Sequence, residues 1–278
     1  MAKSSRTLDS KGFFLFILMF LIITSLAILL DIPILRPALG FLFFTIIPGL
    51  LIIHTLKLTK LELTEKFILS VGLSVAFLLF VGLVINAVSL LLGYNTPLST
   101  RPLIIPFSII IIILAIIGYK RNTDFSFDLS DFKLATREKA FLLLPSLFPL
   151  LSILGMHLMN TASNNMMLMV MLFLIPAYVI LMAILHHRVP QRIYPVMIFL
   201  IGIPLLLMAS LRSGHIMGND THNEYYLFQL VSNAQYWRVF IRSVLDSTLS
   251  ITLLPAIYQS LMNINPEYLF KLLYSLLF

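Results

Sequence analysis

The densest group of chemically capable side chains runs from Arg212 to Tyr226. It holds Arg212, His215, Asp220, His222, Glu224, Tyr225 and Tyr226, with Gly214 and Gly218 free to make turns. Asn219 or Asp220 can cap a helix that starts there. Asp220 and Glu224 then stand at i and i+4 on one face, about one turn apart. Two carboxylates so placed can hold Mg2+ or Mn2+, or one can act as a general base. The imidazole of His222 could add a nitrogen ligand or line the site. Arg212, Arg238 and Arg242 are the bases of this region, and a guanidinium pairs well with a lipid phosphate. Tyr225, Tyr226 and Trp237 would line a substrate site.

Each of these residues also has a purely structural reading. Asp220 can be a helix cap, and Glu224 an acid complementing the helix dipole. The aromatic side chains suit a membrane-interface belt, and the arginines can reach out to lipid headgroups. His215 and His222 lack the spacing of a zinc-protease helix.

The elements that position this group are dictated by composition. The chain has 278 residues, 59% of them hydrophobic and only 11% charged, with a mean hydropathy of +1.00. A water-soluble domain carries about 25% charged residues. The fold class expected is all-α, a polytopic transmembrane helical bundle. There is no cysteine, which excludes thiol catalysis and thiolate metal sites. No phosphate-binding loop, dinucleotide motif or nucleic-acid module is present, so nucleic acid is not an expected partner.

A bilayer core of about 30 Å needs roughly 20 apolar residues of helix. Seven runs serve: 13–30, 38–54, 67–92, 103–119, 140–158, 166–185 and 194–211. Pro48-Gly49 in the second run predicts a kink or a re-entrant turn whose freed backbone groups neighbours must cover. An apolar eighth segment starts near Tyr268 and covers half a bilayer by Phe278. It reads as a partial crossing or as the cut end of a longer protein, the latter being favoured.

Basic residues alternate between loops. The amino-terminal tail and the loops after spans two, four and six hold 13 of the 19 lysines and arginines. By the positive-inside rule the amino terminus is cytoplasmic, in the cell membrane, and the 212–250 segment lies outside. The organisation expected is a four-span module (1–118), a cytoplasmic connector (119–139) and a second module (140–278) bearing the acidic loop. Within the spans, Asn86 reads as an interhelical hydrogen bond, while His54 and His157 read as interfacial. No span carries a charge near its centre, which counts against a proton-driven transporter.

Two stretches carry a resemblance. Arg36-Pro37-Ala38-Leu39-Gly40, Ile47-Pro48-Gly49 and 65–74 resemble the start of an uncharacterised family of prokaryotic, often archaeal, multi-pass membrane proteins. Residues 218–226, Tyr236-Trp237 and 249–255 look like a second motif of related archaeal proteins. The second motif is also similar to the polytopic glycosyltransferases of the GT-C type, whose donors are sugars on polyprenyl or dolichyl phosphate. That resemblance implies an acidic catalytic role for Asp220 and a lesser one for Glu224. The sequence departs from the pattern in placing its acidic loop after the seventh span rather than the first. Three functions stay open: such a glycosyltransferase, a non-enzymatic membrane scaffold or assembly subunit, and a transporter.

Overall fold

The computed structural model describes residues 7–58, 61–122, 126–128, 133–241 and 243–277, with backbone alone at 7–9 and 126–128. Eleven α-helices stand among the described residues: α1 (Ser10–Leu29), α2 (Leu35–Thr55), α3 (Leu63–Leu91), α4 (Thr100–Arg121), α5 (Thr136–Leu143), α6 (Phe148–Ala162), α7 (Met166–Ile184), α8 (Tyr194–Ser210), α9 (Asn219–Ala234), α10 (Leu249–Met262) and α11 (Pro266–Leu277). Six helical segments are long and apolar enough to cross a membrane, ending in that at Gln191–Ser210. The pair α5 and α6, bent by 46°, makes a seventh if taken as one span. Exposed leucines, isoleucines and phenylalanines cover these helices, as they would in hydrocarbon and not in water. The chain is an integral membrane protein with multiple apolar helices.

Two features were not legible in the apolar pattern. β1 (Thr7–Asp9) and β2 (Ser126–Asp128) pair antiparallel, with Leu8 opposite Phe127, in a segment expected to be connector alone. The run 140–158 is broken: Pro145 opens a 3-10 turn between α5 and α6, because proline removes a helical donor and crowds the preceding turn. Phe125 and Phe132 of the connector lie outside the described residues.

The chain folds as two compact units, 1–131 with 218–269, and 132–217 with 270–278. The sequence division placed 140–278 together, whereas residues 218–269 pack with the first four helices. The reason lies in α10. Its residues Thr252 to Tyr258 are all buried, as are Leu261 and Met262, and they pack on α2, α3 and α4. A helix apolar on nearly every side, yet too short to span, needs protein around it rather than lipid.

At the centre of the first unit is α2. Some 56% of its apolar window is buried, against 28–33% for the other five spans. Pro48 and Gly49 lie inside one unbroken helix, with no re-entrant turn. The Gly49 amide donates to Ser74 Oγ of α3 at 2.8 Å, which covers a backbone group beside the proline. The close approach demands glycine: a Cβ on Gly49 would sit 1.9 Å from the Ser70 carbonyl oxygen. His54, expected at an interface, is buried (4% exposed). Its ring packs 5.1 Å from that of Phe13, and its carbonyl accepts from Asn122 Nδ2 at 3.2 Å.

The second unit packs α6 against α7 and α8 around Phe148, Met171, Tyr178 and Met197. Ser152 Oγ of α6 donates to the Pro204 carbonyl of α8 at 2.7 Å. Glu138 caps the start of α5 through the Ala135 amide (2.7 Å) and is ion-paired with Arg192. The segment expected as a partial eighth span is α11, of 12 residues. Its buried Lys271 donates to the Ser213 carbonyl at 2.7 Å.

Candidate functional site

The acidic segment forms α9. Its cap is not Asn219 or Asp220 but Gly218, at φ +104°, a conformation that favours glycine. Asn219 opens the helix and Asp220 lies in its first turn, where a carboxylate complements the helix dipole. Asp220 and Glu224 occupy the i and i+4 positions expected, with Cβ atoms about 5–6 Å apart by helix geometry. Asp220 and His222 are exposed, Glu224 and Tyr225 half-buried, Tyr226 exposed. The Tyr225 ring packs 5.8 Å from Phe228. Burial, and then the charge of Glu267, raise the Tyr225 phenol above its ordinary value. Glu267 is an acid that the sequence did not single out, since it lies beyond α10 in the chain.

What holds α9 is its far end. Leu227, Phe228 and Val231 are buried, and α9 packs on α10. The Gln235 carbonyl accepts the Leu98 amide at 2.8 Å, tying α9 to the α3–α4 loop. Asn86 of α3, read from sequence as a helix-to-helix bond, instead clamps the backbone of Trp237. It accepts from the Trp237 amide at 2.7 Å and donates to the Trp237 carbonyl at 2.9 Å. The Trp237 indole donates to Thr252 Oγ1 of α10 at 3.0 Å. Trp237 is thus a fixed joint between α3, α9 and α10.

Arg238 follows it. Its guanidinium lies 5.3 Å from the Tyr236 ring centre and 5.0 Å from that of Phe240, which sets an exposed cation against two aromatic faces. Beside these residues runs an open groove of about 550 Å³, lined by Leu83, Asn86, Leu90, Leu91, Trp237 and Val239 among others. The loop beyond is shaped by Asp246, which is fully buried and accepts the Ile241 amide at 2.5 Å.

The residues singled out from sequence therefore fall into separate groups. Asp220, His222, Glu224, Tyr225 and Tyr226 lie towards the start of α9. Trp237 and Arg238 follow its other end. Between Asp220 and Ala234 the helix rises about 21 Å at 1.5 Å per residue. Arg212 belongs to the second compact unit, and Arg242 lies outside the described residues. Among the described residues no three His, Asp or Glu side chains gather to hold a metal ion. Asp220 and Glu224 could supply the one or two carboxylates with which proteins hold Mg2+ alongside water and substrate phosphate, but not a closed site.

The residue whose structural role sequence analysis missed most plainly is Arg36, named there only within a stretch of resemblance. It is buried (7% exposed). It donates to the Leu261 carbonyl (Nε, 3.0 Å), the Ser260 carbonyl (2.6 Å), Thr100 Oγ1 (3.1 Å) and Asp31 (2.7 Å). Asn263 Nδ2 donates to both Asp31 oxygens at 3.1 and 3.2 Å. The Asn263 and Arg36 bonds hold the Asp31 carboxyl below its ordinary value. A helix leaves its last carbonyls without partners, and Arg36 fills that need for α10. No family model, curated protein or solved structure matches the chain.

Proposed function

We propose that this membrane protein is a transferase of the lipid-linked-sugar class, working at the end of the first bundle that carries the α1–α2 and α3–α4 turns. The observation that supports this reading is how α9 is mounted. Its first turns carry an exposed Asp220 and a half-buried Glu224, while its other end is bolted to α3 and α10 beside an apolar groove and an unburied arginine. A substrate with a long apolar chain and a polar sugar head needs both kinds of surface. Asp220 would take a proton from the acceptor hydroxyl or amide, and Glu224 would orient it or share a Mg2+ or Mn2+ with Asp220. Tyr225, Tyr226 and His222 would contact the sugar. The resemblance to GT-C-type enzymes points the same way, and the reading includes an amino terminus on the cytoplasmic side of the cell membrane. Because α9 separates the acids from Arg238, any phosphate held by Arg238 would belong to a lipid lying along α3 rather than to the reacting bond.

The test is transfer of labelled sugar from a polyprenyl-phosphate donor to an acceptor, in membranes bearing the wild type or Asp220→Asn. Removing a general base costs about 100-fold or more in rate. Transfer by the wild type that Asp220→Asn leaves unchanged would take Asp220 out of the mechanism.

One observation favours a second reading, a non-enzymatic scaffold: Asp220 and Glu224 do not converge with Trp237 and Arg238, which follow the other end of α9. On that reading Asp220→Asn leaves the cellular phenotype intact. Capture of partner proteins instead depends on residues 120–139.

A further inference from the structure

The second unit carries a cavity of about 380 Å³ lined by Arg137, Ala140, Phe141 and Arg188. Two guanidiniums from different elements line one small space, Arg137 from the first turn of α5 and Arg188 from the 3-10 turn that follows α7. The other described lining residues, Ala140 and Phe141, are apolar. The elements are held in register by the Tyr178 hydroxyl of α7, which donates to the Phe141 carbonyl at 2.8 Å. The nearest acid in sequence, Glu138, is buried and already engaged by Arg192 and the Ala135 amide. Among the described residues that line the cavity there is no carboxylate.

The level of the cavity is set by sequence. In α5 the polar Thr136-Arg137-Glu138-Lys139 gives way to Ala140-Phe141-Leu142-Leu143, and in α7 the apolar run to Ile184 and Leu185 gives way to His186-His187-Arg188. Both elements change from hydrocarbon-compatible to basic at the same place, which is where a bilayer has its headgroups.

We propose that this cavity is a binding site for the phosphate of an anionic membrane phospholipid, with Arg137 and Arg188 as the paired donors and Phe141 as the floor beneath the glycerol and first acyl carbons. A guanidinium suits phosphate because its planar donors meet two oxygens at once. Two of them beside an apolar wall, with no counter-charge among the described lining residues, select an anionic headgroup over a zwitterionic one. Basic pockets between helices at headgroup depth bind anionic lipids on this principle. The proposal does not depend on the function proposed for α9.

The experiment titrates purified full-length protein in neutral detergent with short-chain phosphatidylglycerol, phosphatidylcholine or inorganic phosphate, and reads bound lipid by native mass spectrometry. The expected result is preferential retention of phosphatidylglycerol, weakened about fivefold by Arg137→Gln or Arg188→Gln and roughly 30-fold by both. Ala140→Glu places a carboxylate at an exposed position of the lining and gives the same loss without disturbing packing. Lys120→Gln, outside the cavity, leaves retention unchanged. Equal retention of the two lipids, or phosphatidylglycerol retention untouched by both the double variant and Ala140→Glu, would overturn the proposal. Competition by inorganic phosphate at the same concentration as the lipid would overturn it too, in favour of a soluble-anion site.

Discussion

Replacing Arg36 with glutamine tests whether the α9–α10 segment is held to the first bundle by a cap. The magnitude follows from which groups lose a partner. Ser260 keeps a donor, because Thr100 Oγ1 also reaches its carbonyl at 2.8 Å. Asp31 keeps Asn263 and is well exposed, so losing the guanidinium costs it little. The Leu261 carbonyl, buried and last but one in α10, loses the Arg36 donor. A buried acceptor stripped of its partner costs about 1–3 kcal/mol. A loss of about 2 kcal/mol in the local stability of α10 raises its opening population roughly 30-fold. Hydrogen exchange of α10 amides in micelles reads this directly. The last turn of α10 should exchange faster by that factor, while α1 and α6 stay protected. Thr100→Val, which leaves Arg36 on the Ser260 carbonyl, should have a smaller effect. Unchanged exchange in α10 of a folded Arg36→Gln protein, or an equal loss across all helices, would refute the capping argument.

Two further outcomes concern the same bundle. Gly49→Ala should destabilise the fold by about 1–3 kcal/mol or more, since its Cβ would lie 1.9 Å from the Ser70 carbonyl. Gly72→Ala, with nothing within 4 Å, should be neutral or slightly stabilising, and thermal unfolding in detergent would separate the two. Asp31 has a lowered folded-state pKa, so its contribution is present above the ordinary value of 3.8 and is lost as the pH falls through the folded value below it. Exchange at the Met262–Asn263 end of α10 should therefore rise below about pH 4, and Asp31→Asn should remove that dependence. Persistence of the acid response in Asp31→Asn would assign it to another group.

The relation between pattern and structure is clearest at particular residues. The apolar runs were legible as spans because a bilayer imposes a length on any helix that crosses it. The i, i+4 placement of Asp220 and Glu224 was legible because helix periodicity is local. Gly218 was not foreseen as the cap, since several residues there could begin a helix and the choice depends on how the chain leaves the preceding loop. The capping role of Arg36 was not legible because its partners, Ser260 and Leu261, lie 224 and 225 residues away. Asn86 announced a polar partner inside a span but not which one.

What the sequence determined by itself is the class: a low-charge chain with six or seven apolar segments can only bury its backbone as helices in hydrocarbon. What tertiary structure decided is the company each segment keeps. Residues 218–269 follow the second bundle in the chain yet pack with the first. The reason is that α10 is too short to cross a membrane and too apolar to face water. Its open carbonyls needed Arg36 and its buried face needed α2, α3 and α4, and once it docked there, α9 and its acids were carried with it.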